Sequence, residues 1–311
     1  MRVVAALGGN ALLRRGESAE AAAQIRNVAV AVQALAGVAE THQLIITHGN
    51  GPQVGLLALE AEAYKVVRPY PLDVLGAESE GMIGYLIEQG LANILPGRST
   101  ATVLTQVIVD PNDPAFLAPS KPVGPVYSRA EATRLADERG WTIGPDGDRW
   151  RRVVPSPEPR RILELNAIRV LVDAGVLVIC VGGGGVPVVE DGDGHLSGVE
   201  AVIDKDLSAA LLARELGADA LLLLTDVAAV ELDHGSPAAR PLADVSTSQL
   251  ERLHLPPGSM GPKAQAAVRF VRETGGLAAI GALSDAAAIL AGRAGTTVIG
   301  DGSRHREPSL A

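Results

Sequence analysis

Short apolar runs alternate with helical patterns along most of the chain, and glycine-rich turns separate them. Residues 3–7 and 43–47 are such runs, and each leads directly into glycines. A long Ala-rich helix is expected over about 19–39, and Pro52 stands where the first turn of another helix tolerates proline. This alternation predicts an α/β protein whose mostly parallel sheet is covered by helices on both faces.

The same alternation continues as far as residue 109 and resumes after about residue 160. The continuous apolar run at 103–109 is typical of a strand buried on both faces of a parallel sheet. Further strands are expected at 177–181, 186–189, 220–224, 278–280 and 296–299. Helices are expected at about 162–173 and 206–216, after Gly261-Pro262 as far as about Glu273, and just after Ser284. We divide the chain into an N-terminal half at 1–175, a C-terminal half at 176–300 and a polar tail at 301–311.

Residues from about 110 to 160 break this pattern. Nine of them are prolines, and a hairpin is expected where 141–143 and 150–154 flank a Gly-Pro-Asp-Gly turn. We interpret the segment as an inserted subdomain or lid. A disordered linker is the alternative, but the aromatic residues of the segment, including both tryptophans, argue against it.

Composition and charge narrow the class of protein. The chain has 311 residues, of which 47% are apolar and 20% charged, as in ordinary globular proteins of one or two domains. Its formal net charge is −9, and no run of Lys or Arg forms a basic patch. We therefore expect no nucleic-acid partner.

The single cysteine and the N-terminus bear on the compartment. Cys180 excludes an internal disulfide, fits a reducing environment and is expected to be a small buried apolar residue. The chain starts with a strand pattern rather than a signal peptide, and Asp173 and four glycines interrupt the apolar stretch at 170–189. We expect a cytoplasmic protein without a membrane span.

Three glycine turns follow strands directly: Gly8-Gly9-Asn10, His48-Gly49-Asn50-Gly51, and residues 182–185. In a parallel sheet these turns gather at one edge, where backbone N–H groups and helix N-termini bind anions. One such turn is common in α/β proteins, but three favour a phosphate site. None matches a P-loop or a dinucleotide fingerprint, and no zinc or serine-hydrolase motif occurs.

Three lysines stand in unusual settings. Lys121 lies between prolines, Lys205 lies between Asp204 and Asp206, and Lys263 opens a helix. A cation at a helix N-terminus opposes the helix dipole, and either a bound anion or solvent exposure would relieve that conflict. Phosphoryl transfer needs such charge neutralisation more than it needs covalent chemistry.

Other polar groups near these motifs have simpler interpretations. His48 could serve as an acid or base, but a hydrogen-bonded structural imidazole is the preferred interpretation. Glu200 and Asp204 could orient or solvate Lys205.

Taken in order, these motifs resemble those of the carbamate kinases within the amino acid kinases. The matching segments are 6–12, 47–55, 105–113, 121–124, 153–157, 182–188, 198–206 and 258–263, and together they span nearly the whole chain. The Gly-Gly-Asn turn and the strand end at Thr225-Asp226 are shared by amino acid kinases generally. The lid, Lys-Pro-x-Gly and Ile-Asp-Lys-Asp are more particular to carbamate kinases.

The resemblance implies an open αβα sandwich, a homodimer and a place in arginine metabolism. The N-terminal half would bind carbamate or carbamoyl phosphate, and the C-terminal half would bind ATP or ADP with Mg²⁺, without a protein metal ligand that can be named. Residues implied to cradle the transferred phosphoryl group are Gly8, Gly9, Asn10, Gly49, Asn50 and Gly51, with Asn10 also catalytic. Asp206 would organise the catalytic lysines, and Lys121 would reach in from the lid. The nucleotide would contact Gly183, Gly184, Lys205, Thr225, Asp226, Met260 and Lys263.

One segment departs from the family pattern. Carbamate kinases often carry an acidic residue and then a tyrosine near the nucleotide base, whereas here Ala228, Ala229, Val230 and Glu231 follow Val227. Two alternatives stay open. Another amino acid kinase could act on a carboxylate, a phosphonate or an isoprenoid phosphate, and a silent member could only bind an anion. The intact lysines argue against the silent member.

Overall fold

The computed structural model describes residues 1–13, 17–18, 20–64, 66, 68–236, 238–253, 255–256, 258 and 260–302. Its strands are β1 (Arg2–Leu7), β2 (Gln43–His48), β3 (Thr100–Val103), β4 (Gln106–Val109), β5 (Lys121–Tyr127), β6 (Ile143–Asp146), β7 (Arg149–Val154), β8 (Pro159–Ile162), β9 (Leu177–Cys180), β10 (Val186–Glu190), β11 (Leu196–Gly198), β12 (Ala220–Thr225), β13 (Glu231–Leu232), β14 (Arg240–Pro241), β15 (Asp244–Ser246), β16 (Leu277–Ala282) and β17 (Thr296–Ile299). Its helices are α1 (Gly9–Leu12), α2 (Ala21–Thr41), α3 (Gly51–Ala63), α4 (Leu72–Ile94), α5 (Arg129–Arg139), α6 (Leu165–Asp173), α7 (Lys205–Glu215), α8 (Thr247–Arg252), α9 (Met260–Thr274) and α10 (Ala286–Leu290). Most of the tail expected at 301–311 lies outside the described residues.

The main sheet has eight strands in the order β15-β17-β16-β12-β1-β2-β9-β3. Neighbouring strands are parallel throughout, except that β16 and β17 are antiparallel. This confirms the predicted mostly parallel α/β sheet. Because β1, β2, β9 and β12 run in the same direction, their carboxyl ends open on the same edge.

The core lies in two layers, one on each face of the sheet. Alternate residues of β1 divide between them, since successive side chains of a strand point to opposite faces. Val4 and Ala6 pack in the cluster that contains residues of α7 and α9, such as Phe270. Val3 and Ala5 pack in the cluster formed with α2 and α4, which includes Leu35. Helices on both faces give the predicted αβα arrangement.

The single strand expected at 103–109 is wrong, because the chain leaves the main sheet in its middle. β3 pairs with β9 in the main sheet, whereas β4 pairs with β10 and β8 in a separate four-stranded sheet. The crossing occurs at Thr105, whose buried hydroxyl donates to the Val103 carbonyl (2.8 Å) and accepts from the Val181 amide (3.0 Å). These bonds replace the ladder bonds that a continuous strand would make.

The Pro-rich insertion is folded. β5, β7 and β6 form an antiparallel sheet with α5 beside it. The predicted hairpin exists, but its first strand is β6 rather than 141–143, because the tight turn lies at Gly147, whose φ is 63°. The helix expected from 162 begins later, at Leu165, since residues up to Ile162 pair with β4. The insertion contacts α3 where a Cβ atom on Gly55 would lie 2.8 Å from Cα of Gly124.

Helix α2 is, among the described helices, the one long and apolar enough to cross a membrane by length and composition. The mean hydropathy of its 18-residue window is 1.2, and 50% of that window is buried inside the protein. Val28, Val32 and Leu35 belong to the core beneath the sheet. Core helices of globular proteins meet the same criteria, so the finding is weak support for a membrane span.

Candidate active site

The first two glycine turns lie side by side at the ends of β1 and β2. The Gly49 amide donates to the Leu7 carbonyl at 3.0 Å, which fixes the second turn to the first strand. A Cβ atom on Gly49 would lie 2.9 Å from the Gly9 nitrogen and 3.1 Å from Cδ of Lys205. Only glycine allows this approach, and the same approach brings Lys205 to both turns.

The third glycine turn, at 182–185, is buried behind the second. A Cβ atom on Gly183 would overlap the Asn50 side chain, and the Asn50 amide donates to Oγ of Ser79 at 2.7 Å. The structure therefore places Gly183 and Gly184 next to the second glycine turn, but neither lines the cavity described below. Because they lack a Cβ atom, Gly183 lets the Asn50 side chain pack closely against the turn, and Gly184 does the same for Ile203.

Two lysines share one buried carboxylate at the start of α7. Nζ of Lys205 lies 2.9 Å from each oxygen of Asp206, and Nζ of Lys263 lies 2.9 Å from Oδ2. Lys263 comes from the first turn of α9, which packs against α7. The carboxylate thus offsets the conflict between Lys263 and the helix dipole that the sequence indicated.

Burial and charge act in opposite directions in this cluster. Burial would raise the pKa of Asp206, but the ammonium groups of Lys205 and Lys263 hold that pKa well below its ordinary value. Burial, and after it the Lys205 charge, lower the pKa of Lys263 to about 8, although Asp206 acts in the opposite direction. Burial also opposes the charge of Lys205, yet the carboxylates of Asp206 and Asp204 raise its pKa. Asp206 is therefore ionised at neutral pH and suited to hold cations.

Asp204 holds the lysine of the insertion. Its Oδ2 lies 2.6 Å from Nζ of Lys121, while its Oδ1 accepts from the amides of Asp206 (2.9 Å) and Leu207 (3.4 Å). Asp204 is the N-cap of α7. The sequence analysis considered that Asp204 could orient or solvate Lys205. Its charge does raise the pKa of Lys205, but its hydrogen-bonded lysine is Lys121. An Asp that precedes a helix would have indicated the cap, but only the fold brings Lys121 to it.

A cavity of about 400 Å³ opens where these groups meet. The predicted site residues that line it are Gly8, Gly9, Lys121, Lys205, Asp206, Thr225, Asp226, Met260 and Lys263. Segments far apart in the sequence therefore contribute to one space, as predicted for the carboxyl edge of the sheet.

The remaining predicted site residues are not among the described residues that line the cavity. Gly49 and Asn50 are buried beneath the cavity wall, and Gly51 is exposed as the first residue of α3. Asn10 belongs to the short helix α1, and its side chain lies outside what the structure describes. Oγ1 of Thr225 donates to Asp226 at 3.1 Å, at the strand end that the sequence indicated.

His48 is buried at the end of β2, with Nδ1 3.2 Å from the Gly49 carbonyl oxygen. Burial lowers its pKa to about 4, although the backbone hydrogen bond opposes this. The imidazole is therefore neutral at pH 7, with Nδ1–H donating to Gly49. This agrees with the structural interpretation of His48.

Glu80, on α4, is a buried acid that the sequence analysis did not single out. Its Oε2 accepts from the Thr105 amide at 3.0 Å, and in the described part of the chain its Oε1 has no hydrogen-bond partner. Burial raises its pKa well above the ordinary value, and the Glu164 charge adds to this against the Thr105 bond. A Cβ atom on Gly182 would contact both Glu80 and His48, so the three residues form one packed unit behind the glycine turns.

The described residues offer one group of ligand atoms close enough to share a metal ion, formed by Asp191, Asp193 and His195. All three are exposed between β10 and β11, and Oδ1 of Asp191 already accepts from the amides of the other two at 2.9 Å. None of them lines the cavity. In the cavity itself, both oxygens of Asp206 accept hydrogen bonds from lysines.

The sequence was compared with known families and proteins. It matches the model of the amino acid kinase family over residues 1–280. The chain belongs to the amino acid kinase family. Among amino acid kinases, it is 53% identical to the carbamate kinase of Haemophilus influenzae over 96% of both chains. It is 54% identical to the carbamate kinase of Rhizobium meliloti, over 96% of this chain and 93% of that one.

A comparison with solved structures leads to the same family. The carbamate kinase from Giardia lamblia bound to AMP-PNP superposes with a TM-score of 0.89 at 40% identity, covering 96% of this chain and 98% of the other. At such identity over nearly the whole chain, the protein is an enzyme of the carbamate kinase branch of this family. The resemblance and the fold class predicted from the sequence are both confirmed.

Proposed function

We propose that the protein transfers a phosphoryl group reversibly between ATP and carbamate, forming ADP and carbamoyl phosphate, with ATP synthesis as one direction of use. One observation carries the proposal. Three lysines, held by two carboxylates at one helix start, meet the glycine turns in a single cavity. The relatives named carbamate kinase support the reaction, and the relative bound to AMP-PNP supports a nucleotide.

The chemistry asks for charge neutralisation at fixed positions. Toward ATP synthesis, an oxygen of the ADP β-phosphate attacks the phosphorus of carbamoyl phosphate, the bond from phosphorus to the carbamoyl oxygen breaks, and carbamate leaves as an anion. Negative charge spreads over the equatorial oxygens of the moving group. Gly9, Asn10, Asn50 and Gly51 would present amides to it. Gly8 and Gly49 would shape the same cradle, because their own amides donate to the Leu224 and Leu7 carbonyls.

Each charged side chain has a distinct role in this proposal. Lys205 and Lys263 contact the nucleotide phosphates, and Asp206 fixes their ammonium groups without taking a proton. Lys121 brings a third charge from the insertion, guided by Asp204. Since carbamate is already an anionic nucleophile in the reverse direction, the neutral His48 is not needed as a base.

The two halves of the chain divide the substrates. We assign carbamate to residues 1–175 and the nucleotide to 176–300, with 110–160 acting as a lid over both. The position of Lys121 on β5 of the insertion, against Asp204 at the start of α7, supports a lid that meets the nucleotide half. Thr225, Asp226 and Met260 line the cavity on that half.

Mg²⁺ would arrive with the nucleotide, and it would neutralise charge between the β- and γ-phosphates. Magnesium binds few protein carboxylates and keeps phosphate oxygens and waters as ligands. The cavity suits an ion that needs few protein ligands. Both Asp206 oxygens accept hydrogen bonds from lysines, and Asp226 is a further carboxylate that lines the cavity.

The decisive experiment measures ATP formation from ADP and Mg²⁺ with a panel of acyl phosphates. We expect turnover with carbamoyl phosphate and little with acetyl phosphate or an acylglutamyl phosphate. Turnover with another acyl phosphate but not with carbamoyl phosphate would place the protein elsewhere among the amino acid kinases. Nucleotide binding without any turnover would make it a silent member.

We also propose a homodimer that forms along β3. This strand is one of the two edge strands of the main sheet, and edge strands are available for pairing or covering. Beside it, Tyr85 is 58% exposed and Leu104 is 47% exposed, and both line one shallow surface depression. Light scattering should give a dimer mass, and Tyr85→Glu combined with Leu104→Glu should shift the protein to monomers.

We also propose that the enzyme is located in the cytoplasm and takes part in arginine metabolism. Cys180 is a free, buried thiol, which suits a reducing compartment. Burial raises the pKa of this thiol well above its ordinary value, so the thiol is protonated and unreactive at neutral pH.

A further inference from the structure

The residues that line the active-site cavity fall into two chemical groups. The first group contains the lysines, Gly8 and Gly9, and the start of α7, and is here called the cationic end. The second group, here called the second end, comes from Leu255, Pro256 and Gly258 and from the segment after β12, which includes Val227 and Ala229. A nucleotide whose phosphates contact the lysines is left with the second group for its nucleoside.

The second end also carries a carboxylate that no lysine of the cluster pairs with. Glu231 lines the cavity and lies on β13, whose two residues pair with β14. The segment that leads to it is fixed, because the Val230 amide donates to Oγ1 of Thr296 at 2.9 Å. The carboxylate thus has a defined place at the nucleoside end.

His234 holds this carboxylate in position. Its Nδ1 lies 2.6 Å from Oε2 of Glu231, and it also lines the cavity. The Glu231 side chain is 39% exposed and that of His234 is 66% exposed, so both are open to a ligand. One Glu231 oxygen is engaged by the ring, and the carboxylate keeps further acceptor positions.

A carboxylate at this place repels phosphate and needs hydrogen-bond donors. A nucleoside offers two adjacent donors in the ribose 2′- and 3′-hydroxyls, and carboxylates bind ribose hydroxyls in other nucleotide sites. The 6-amino group of adenine is a poorer match, because ring nitrogens beside it would face the second carboxylate oxygen. The apolar walls suit the faces of the base.

We propose that Glu231, positioned by His234, accepts hydrogen bonds from the ribose hydroxyls and makes the enzyme selective for ribonucleotides. The inference rests on the proposed function only in that the cavity binds a nucleotide. The contact acts on the ribose, away from the moving phosphoryl group, so it should affect nucleotide affinity and not the chemical step.

The test compares ADP, 2′-deoxy-ADP, 3′-deoxy-ADP and IDP by calorimetric binding and by turnover. For the unaltered protein, removal of one hydroxyl should weaken binding roughly ten-fold, as for a hydrogen bond to a charged group. Glu231→Gln should weaken ADP binding by a similar factor and reduce the penalty for the deoxy nucleotides to about two-fold, with kcat unchanged. Calorimetry alone decides the outcome if carbamoyl phosphate proves not to be the substrate.

Matched variants separate recognition from folding. His234→Ala should raise the KM for ADP about three-fold without changing kcat, and His234→Gln, which keeps a donor, should restore part of the loss. Glu251→Gln and His195→Ala alter an exposed Glu and an exposed His outside the cavity and should change nothing.

Two results would overturn the proposal, and the second has a form that assigns another role to Glu231. ADP binding could be unchanged in Glu231→Gln, or the deoxy penalty could persist in full in that variant. A Glu231→Gln variant that loses discrimination between ADP and IDP, but keeps the deoxy penalty, would assign the carboxylate to the base.

Discussion

Two lysine–carboxylate contacts in one cavity differ in what fixes them. Asp206 joins Lys205 and Lys263 between α7 and α9, two framework helices that pack against each other. Asp204 joins the framework to Lys121, which belongs to the inserted sheet and is more exposed than Lys205. The first contact is part of the core, whereas the second depends on where the insertion lies. We therefore expect the first to affect stability and turnover, and the second to affect turnover alone.

Asp206→Asn should have the largest effect. It leaves two buried ammonium groups without their carboxylate, so the free energy of unfolding should fall by about 3–5 kcal/mol. The kcat should fall roughly 10²–10³-fold, since the lysines lose their orientation. Urea unfolding and steady-state kinetics measure the two effects separately.

Asp173→Asn is the matched control for that variant, because Asp173 pairs with Arg2 at 2.6 Å on the surface. Its loss should change stability by less than about 1 kcal/mol and leave kcat unaltered. If Asp206→Asn behaved like this control, the charge of the Asp206 carboxylate would not be what holds and orients the two lysines.

Lys121→Ala should have the second-largest effect. Charge from the insertion acts on the moving phosphoryl group, so kcat and kcat/KM should both fall by about 10², or about 3 kcal/mol. Stability and the Kd of ADP should not change, because Lys205 and Lys263 remain in place. Weakened ADP binding with normal kcat would show that Lys121 belongs to the nucleotide site instead.

Asp204→Asn tests whether the negative charge of Asp204 positions Lys121, and it keeps a side chain that can cap helix α7. Asn caps helices about as well as Asp, so stability should hold while kcat falls roughly ten-fold. Asp204→Ala should show the same kcat and lose about 1 kcal/mol of stability besides. Equal kcat in the Asn variant and the unaltered enzyme would mean that Lys121 needs no partner.

Glu80→Gln should have the smallest effect, and only on the pH dependence of stability. The folded protein raises the pKa of Glu80, so it keeps a proton that the unfolded chain loses near pH 4.3. The stability from Glu80 is therefore complete below that pH and is lost as the pH rises toward the folded pKa, by about 1.4 kcal/mol per unit.

In Glu80→Gln this slope should disappear, and Glu78→Gln, an exposed change on the same helix, should keep it. Urea unfolding between pH 5 and pH 8 makes the comparison. Parallel curves for all three proteins would show that Glu80 is ionised in the folded state.

The contact of Asp206 with Lys205 in the framework was easier to predict from sequence than the contact of Asp204 with Lys121. Glycines after strands and the Lys205-Asp206 pair carry local signals, and a parallel sheet brings them together by geometry alone. The pairing of Lys121 with Asp204 has no local signal, since 83 residues separate the two. It depends on how the insertion contacts α3, which sequence patterns do not reveal.

Helix α4 and the crossing at Thr105 show another reason why prediction fell short. The α4 sequence contains Gly76, Gly81, Gly84 and Gly90, which obscure a helical pattern, yet a Cβ atom on Gly84 would overlap Thr102 of β3. Thr105 lies in an apolar run and looks like a strand residue. Its hydroxyl redirects the chain because it bonds to two backbone groups at once.

The pairing of three ammonium groups with two carboxylates also bears on how quickly products leave. Asp204 and Asp206 pair with Lys121, Lys205 and Lys263 in the structure, and the cluster has a net charge of only one. A phosphate chain must therefore compete with these carboxylates for every lysine, which limits its affinity in the ground state. The same carboxylates reclaim the lysines when ATP or ADP dissociates, so a site this cationic can still release its nucleotide on the time scale of turnover.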